Sequence, residues 1–98
     1  MKVLIKSILG KEEEYYMRFL DQLLSDERKE ILNDQEKVML EYLKDTYEES
    51  TKFPSEVYFL DKFPEYSVPL EGAKELSKHD LEIHFTKMVA ERSRKLVG

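Results

Sequence analysis

Two Phe-Pro pairs, Phe53-Pro54 and Phe63-Pro64, constrain this chain more than any other feature. A proline has no N–H to donate, and its ring pushes the preceding residue out of the α region, so no helix runs through either pair. Between them lies "SEVYFLDK", which opens on Ser55, a helix N-cap residue type, and leaves room for about two turns. The stretch from Lys52 to Tyr66 is therefore predicted as a short helix pinned at both ends, carrying Val57, Tyr58, Leu60 and Phe63. Phe59 falls off the Val57–Leu60 side and is expected to be exposed.

Elsewhere the chain reads as helix. It holds three glycines and three prolines, and the rest is dominated by leucine, glutamate, lysine and methionine with almost no strand-like alternation. Lys2 to Leu9 is predicted as a short helix stopped by Gly10 at its C′ position. In the second segment, Glu12, Glu13 and Glu14 are expected in a first turn and complement the helix dipole. The stripe Tyr16, Phe19, Leu20, Leu23 and Leu24 follows. Ser25-Asp26 interrupts it before Ile31 and Leu32.

Asn33 and Glu36 have capping-box spacing and open a third helix. Its inner face is read as Met39, Tyr42, Leu43 and Tyr47, widened by Val38, and it fades in "EESTK". After the second Phe-Pro, "PEYSVPLEG" reads as a loop with turn signals at Pro69 and Gly72, and Ala73 to Leu76 as one helical turn. Ser77, with Asp80 three residues on, caps a last long helix. Leu81, Phe85, Met88, Val89 and Leu96 form its buried row, completed by Arg92. The prediction is one domain over residues 1–98: all-α, a small orthogonal helical domain with a long C-terminal helix.

Charge and size narrow the functions. A net charge of −5 on 98 residues argues against a face built to neutralise nucleic-acid phosphates, and no direct nucleic-acid binding is expected. With no cysteine, a disulfide scaffold is excluded. The apolar run in "MKVLIKSILG" is broken by Lys6 and Ser7, too short for a signal core or a membrane span. A soluble cytoplasmic protein is expected, in the host cytoplasm if the gene is a phage's, with no membrane partner.

The chemistry-bearing residues are sparse. "ILGKEE" contains Gly-Lys but lacks the upstream glycine and the Ser/Thr of a phosphate loop. Asp80 and His84 stand at i and i+4, half of a metal site at most, and a solvated helix pair is the simpler reading. The serines fall mostly at caps and turns. No catalytic residue, metal or cofactor is expected, and the chain is not expected to be an enzyme. Lys87, Arg92, Arg94 and Lys95 form a basic helix end, which the helix dipole favours by itself. The aromatic residues fall on helix stripes and are expected in the core, Tyr58 and Phe59 excepted. These two would anchor a partner.

The order of elements in "ILNDQEKVMLEYLKDTYEESTKFPSEVYFLDKF" resembles the N-terminal domain of DnaB-type replicative helicases, particularly the phage-like versions. Met39, Tyr42, Leu43 and Tyr47 would take the helix positions, Pro54 and Ser55 the helix start, and Leu60 and Phe63 the short-helix anchors. The last helix, "DLEIHFTKMVAERSRKLVG", is similar to the long helix that leads toward the motor domain in that family. The resemblance covers most of residues 16–97. The glycine usual before the Pro-Ser pair is missing, and Thr51, Lys52 and Phe53 stand there instead.

The resemblance implies a non-catalytic collar domain that self-associates and docks a primase or a helicase loader, with the ATPase in a motor domain absent from this chain. Tyr58, Phe59, Phe85 and Arg92 are the residues expected at such an interface. The alternative is a free-standing helical adaptor or regulator, phage-encoded, that binds one host protein.

Overall fold

The structure is a computed structural model that describes residues 1–97, with side chains through Lys95. Helix α1 spans Lys2–Ile8, α2 Met17–Leu23, α3 Asp34–Ser50, α4 Glu56–Lys62, α5 Ser67–Glu71 and α6 Lys78–Val97. Single 3₁₀ turns at Glu14–Tyr16, Lys29–Ile31 and Pro64–Tyr66 join them, and no strand occurs among the described residues. The protein is all-α with a long C-terminal helix. Leu96 and Gly98, to which the sequence assigned a buried site and a stop, lie outside the residues so described.

Local chemistry sets most of the boundaries. Gly10 ends α1 with φ 78°, a left-handed backbone that costs glycine nothing. Asn33 and Glu36 form both halves of a capping box at the start of α3: Glu36 N–H donates to Asn33 Oδ1 at 2.8 Å, and Asn33 N–H to Glu36 Oε1 at 3.1 Å. Ser77 Oγ caps α6 by accepting from Asp80 N–H at 3.3 Å. At the end of α3, Thr51 adopts φ 60° where no glycine is available, a conformation that strains a β-branched residue.

The first Phe-Pro pair does more than stop a helix. Extended backbone at Phe53 leaves its polar groups free to pair elsewhere. Phe53 N–H donates to Lys11 O and Gly10 N–H donates to Pro54 O, both at 2.9 Å. This two-bond clasp ties the turn after α1 to the entry of α4. The Phe53 ring, 1% exposed, stacks on Tyr47 with ring centres 4.7 Å apart.

Three local predictions need correction. Glu12 and Glu13 precede the second helical segment, which opens with a 3₁₀ turn at Glu14. "PEYSVPLEG" is mostly helical: a 3₁₀ turn begins at Pro64, and Pro69 sits in the first turn of α5. First-turn N–H groups have no intrahelical acceptor, so a proline there sacrifices no hydrogen bond. Conversely, Ala73 to Leu76 is not helical. The Leu76 N–H donates instead to Ser7 Oγ at 3.0 Å, and buried Ser7 itself donates to Val3 O at 2.8 Å. A serine hidden in α1 thereby ties this non-helical segment to α1.

The core lies where α1, α2, α3 and α6 converge, with Leu4, Ile5, Leu20, Leu23, Met39, Leu40, Leu43 and Leu81 all fully buried. On α3 the buried stripe is Glu36, Met39, Leu40 and Leu43. Tyr42 and Tyr47 are half-buried, and Val38, expected inside, is half exposed. No described helix is long and apolar enough to cross a membrane.

Candidate functional site

Helix α4 was expected to turn Val57 and Leu60 inward and Phe59 outward; the structure rotates it. Phe59 is 0% exposed, whereas Val57 is 77% and Tyr58 70% exposed. The inward row is Glu56, Phe59, Leu60 and Phe63, which obeys the i, i+3, i+4, i+7 spacing of a helix. Phe59 packs on Tyr42, Phe63 and Tyr66, at ring-centre distances of 6.3, 5.1 and 6.0 Å. Burying two phenylalanines one turn apart removes more apolar area from water than burying one valine, so the Phe59–Phe63 pair decides the rotation. That i, i+4 pair was the signal available in the sequence.

Of the four residues expected at an interface, only Tyr58 is free to serve there as an exposed anchor. Phe85 is 6% exposed and lies against Phe19, 5.0 Å between ring centres, in the seam of α2 and α6. Arg92 faces inward. Its guanidinium donates to both Glu36 carboxylate oxygens, at 2.7 and 2.9 Å, and to Ile31 O at 3.2 Å. The four are not one surface: on α4 Tyr58 is exposed and Phe59 buried, and Phe85 and Arg92 belong to α6 packing.

Arg92 and Glu36 form a structural lock that the sequence showed only in halves, as a cap and as the last member of an apolar row. Bidentate geometry makes such a pair specific as well as strong. Burial pushes the Glu36 carboxyl up, but the Arg92 guanidinium and the Asn33 N–H together hold it below its usual range. The same guanidinium is held above its ordinary value by its hydrogen bonds to Glu36. Burial pushes the nearby Tyr66 hydroxyl up to about 12, so it stays neutral.

His84 is a half-buried titratable group of α6. Its Nε2 has no hydrogen-bond partner among the described residues. Burial holds the imidazole below its usual value, the Met1 amino group adds to this, and Glu91 opposes it. The folded state thus favours neutral His84, and the unfolded chain binds the proton more readily. Stability from this group is complete above about pH 6.5 and is lost as pH falls below it. Glu36 adds a further loss below about pH 4.3, because its folded carboxyl is the stronger acid. Urea midpoints at pH 7.5 and 5.0 check the histidine: His84→Leu is expected to shrink the difference between them. An unchanged difference would assign the acid sensitivity to other groups.

Two of the concave surfaces beside these elements bear on docking. One, of about 390 Å³, lies beside Tyr58 and is lined by Tyr42, Thr46, Ser50, Phe53 and Pro54. Lys62 Nζ sits 4.9 Å from the Tyr42 ring centre. The other, of about 520 Å³, is a cleft between α2 and α6. No cluster of three or more histidine, aspartate or glutamate side chains that could hold a metal occurs among the described residues. Asp80 is exposed and His84 half-buried, and they do not form one.

Ion pairs fasten the periphery: Lys6 to Glu56, Lys11 to Glu75, Lys78 to Glu13 and Lys44 to Asp21. These pairs are screened by water and contribute little each. No family model matches the chain, and neither a curated protein nor a solved structure is similar to it.

Proposed function

We propose that this chain is a protein-interaction domain that works by docking, of the non-catalytic kind that forms the collar of a replicative DNA helicase. One surface supports this reading: Val57 and Tyr58 stand side by side in water on α4, next to the aromatic-lined groove. Adjacent large apolar side chains held exposed are what a partner covers, and aromatic groups dominate the energetics of such contacts. The backbone beneath them is pinned by Ser55, the Gly10–Pro54 clasp and Pro64, so little ordering cost attends binding. In the collar reading the partner is another copy of the chain, or a primase or loader.

A free-standing adaptor for one host protein is the second reading. The burial of Phe59 and Phe85 favours it, since both are then withdrawn from the surface a self-associating collar would use.

Light scattering over a concentration series separates the two. The collar reading expects a dimer or larger species, burying on the order of 1,000 Å² or more in total. Tyr58→Glu is expected to dissociate it while the helical circular dichroism stays unchanged. A strict monomer at high micromolar concentration overturns self-association and leaves the adaptor.

A further inference from the structure

We propose that the cleft between α2 and α6 is a second docking site, one that takes an acidic peptide segment bearing large apolar side chains. It shares no lining residue with the groove beside Tyr58. Its floor is apolar: the Phe19 and Phe85 rings in contact, with Val89 and Ala90 beyond them. Its polar rim is basic. Two arginines, Arg18 and Arg28, face one glutamate, Glu82, on a chain whose net charge is −5.

The two arginines differ in what they already hold. Arg18 forms an ion pair with Glu82 at 3.0 Å and lies over the Tyr15 ring, 5.4 Å from its centre. Arg28 makes one side-chain hydrogen bond, 3.3 Å to the neutral Gln22 Oε1 near the end of α2, and no carboxylate lies within ion-pair distance among the described residues. A guanidinium offers a planar fork of donors that a carboxylate fits in bidentate fashion. A positive rim over an apolar floor therefore selects a carboxylate next to an apolar side chain.

Shape favours a peptide as the carrier. The lining residues on α6 run from Glu82 to Ala90, about 12 Å at the helical rise. That length matches about four residues of extended chain. The cleft volume of about 520 Å³ is within the range that holds several side chains. A matching charge pattern also steers the partner on approach and makes the contact sensitive to salt.

The test uses the full chain and a fluorescein-labelled ten-residue peptide of glutamate, leucine and phenylalanine, with a counterpart carrying lysine for glutamate. Fluorescence polarisation is expected to show binding of the acidic peptide that weakens with added sodium chloride. Arg28→Glu, at an exposed site whose substitution leaves the core untouched, is expected to weaken it at least tenfold. In amide-shift mapping, the perturbed resonances are expected at Gln22, Arg28, Thr86 and Ala90 and not at Tyr58. Equal binding of the two peptides overturns the proposal. So do unchanged affinity in Arg28→Glu, no binding of the acidic peptide at millimolar concentration, or shifts centred on Tyr58.

Discussion

Phe59→Glu is expected to abolish the cooperative folded state. Phe59 is fully buried among Tyr42, Phe63 and Tyr66, and a carboxylate placed there has neither water nor a cation to receive it. An ionised group without partners in an apolar site costs far more than a domain of this size can lose. Phe59→Ala removes the ring without adding charge and is expected to cost about 3–5 kcal/mol. Urea denaturation followed by far-ultraviolet circular dichroism measures both. Tyr58→Glu, one residue away but 70% exposed, is expected to keep its midpoint close to that of the unaltered chain. A normal transition for Phe59→Glu combined with a collapsed one for Tyr58→Glu would mean that α4 presents its other face to the core.

Leu20→Ala and Leu43→Ala are each expected to destabilise the fold by about 2–5 kcal/mol. Both residues are fully buried, on helices α2 and α3 that pack against each other. The loss combines the transfer of the removed methyl groups with the cavity that neighbours cannot fill, because folded cores are close-packed. Val38→Ala is the internal control: at 51% exposure it is expected to change stability by less than about 0.5 kcal/mol. Losses below about 1 kcal/mol at both leucines would show that the α2 and α3 stripes face elsewhere.

These substitutions divide along the same line as the legibility of the sequence. Two stripes were legible: Tyr16, Phe19, Leu20 and Leu23, which run on from the Glu14–Tyr16 turn into α2 over ten residues, and Leu81, Phe85 and Met88 on α6, are buried as their spacing predicts. Over several turns a 3.6-residue period outweighs any one substitution. Caps were equally readable, since Asn33–Glu36, Ser77–Asp80 and Gly10 act on backbone groups within a few residues. Helix α4 has only two turns, too few for periodicity to rank Val57 against Phe59. Its rotation follows from which side chains fill the space offered by Tyr42 and Tyr66.

The candidate surfaces were the least readable part. Tyr58 was identified as exposed and remains so, whereas Phe59, expected outside, is a core residue, and Phe85, read both on a buried row and at an interface, is buried. The cleft of Arg18, Arg28, Glu82 and Phe85 joins residues 18 to 28 with residues 82 to 90, and nothing in either segment alone announces the other.

What the amino-acid sequence determined by itself was therefore local: an all-α chain, its helix starts and stops, and the corner imposed by two Phe-Pro pairs. Hydrogen bonds within a turn and steric exclusion at proline act over a few residues and need no partner. Only the tertiary structure decided that Arg92 locks Glu36 across 56 positions, that Ser7 binds the Leu76 N–H, and that Phe59 turns inward. Those outcomes rest on desolvation and close packing, which depend on what else occupies the same few ångströms. That neighbourhood exists only once the chain has folded.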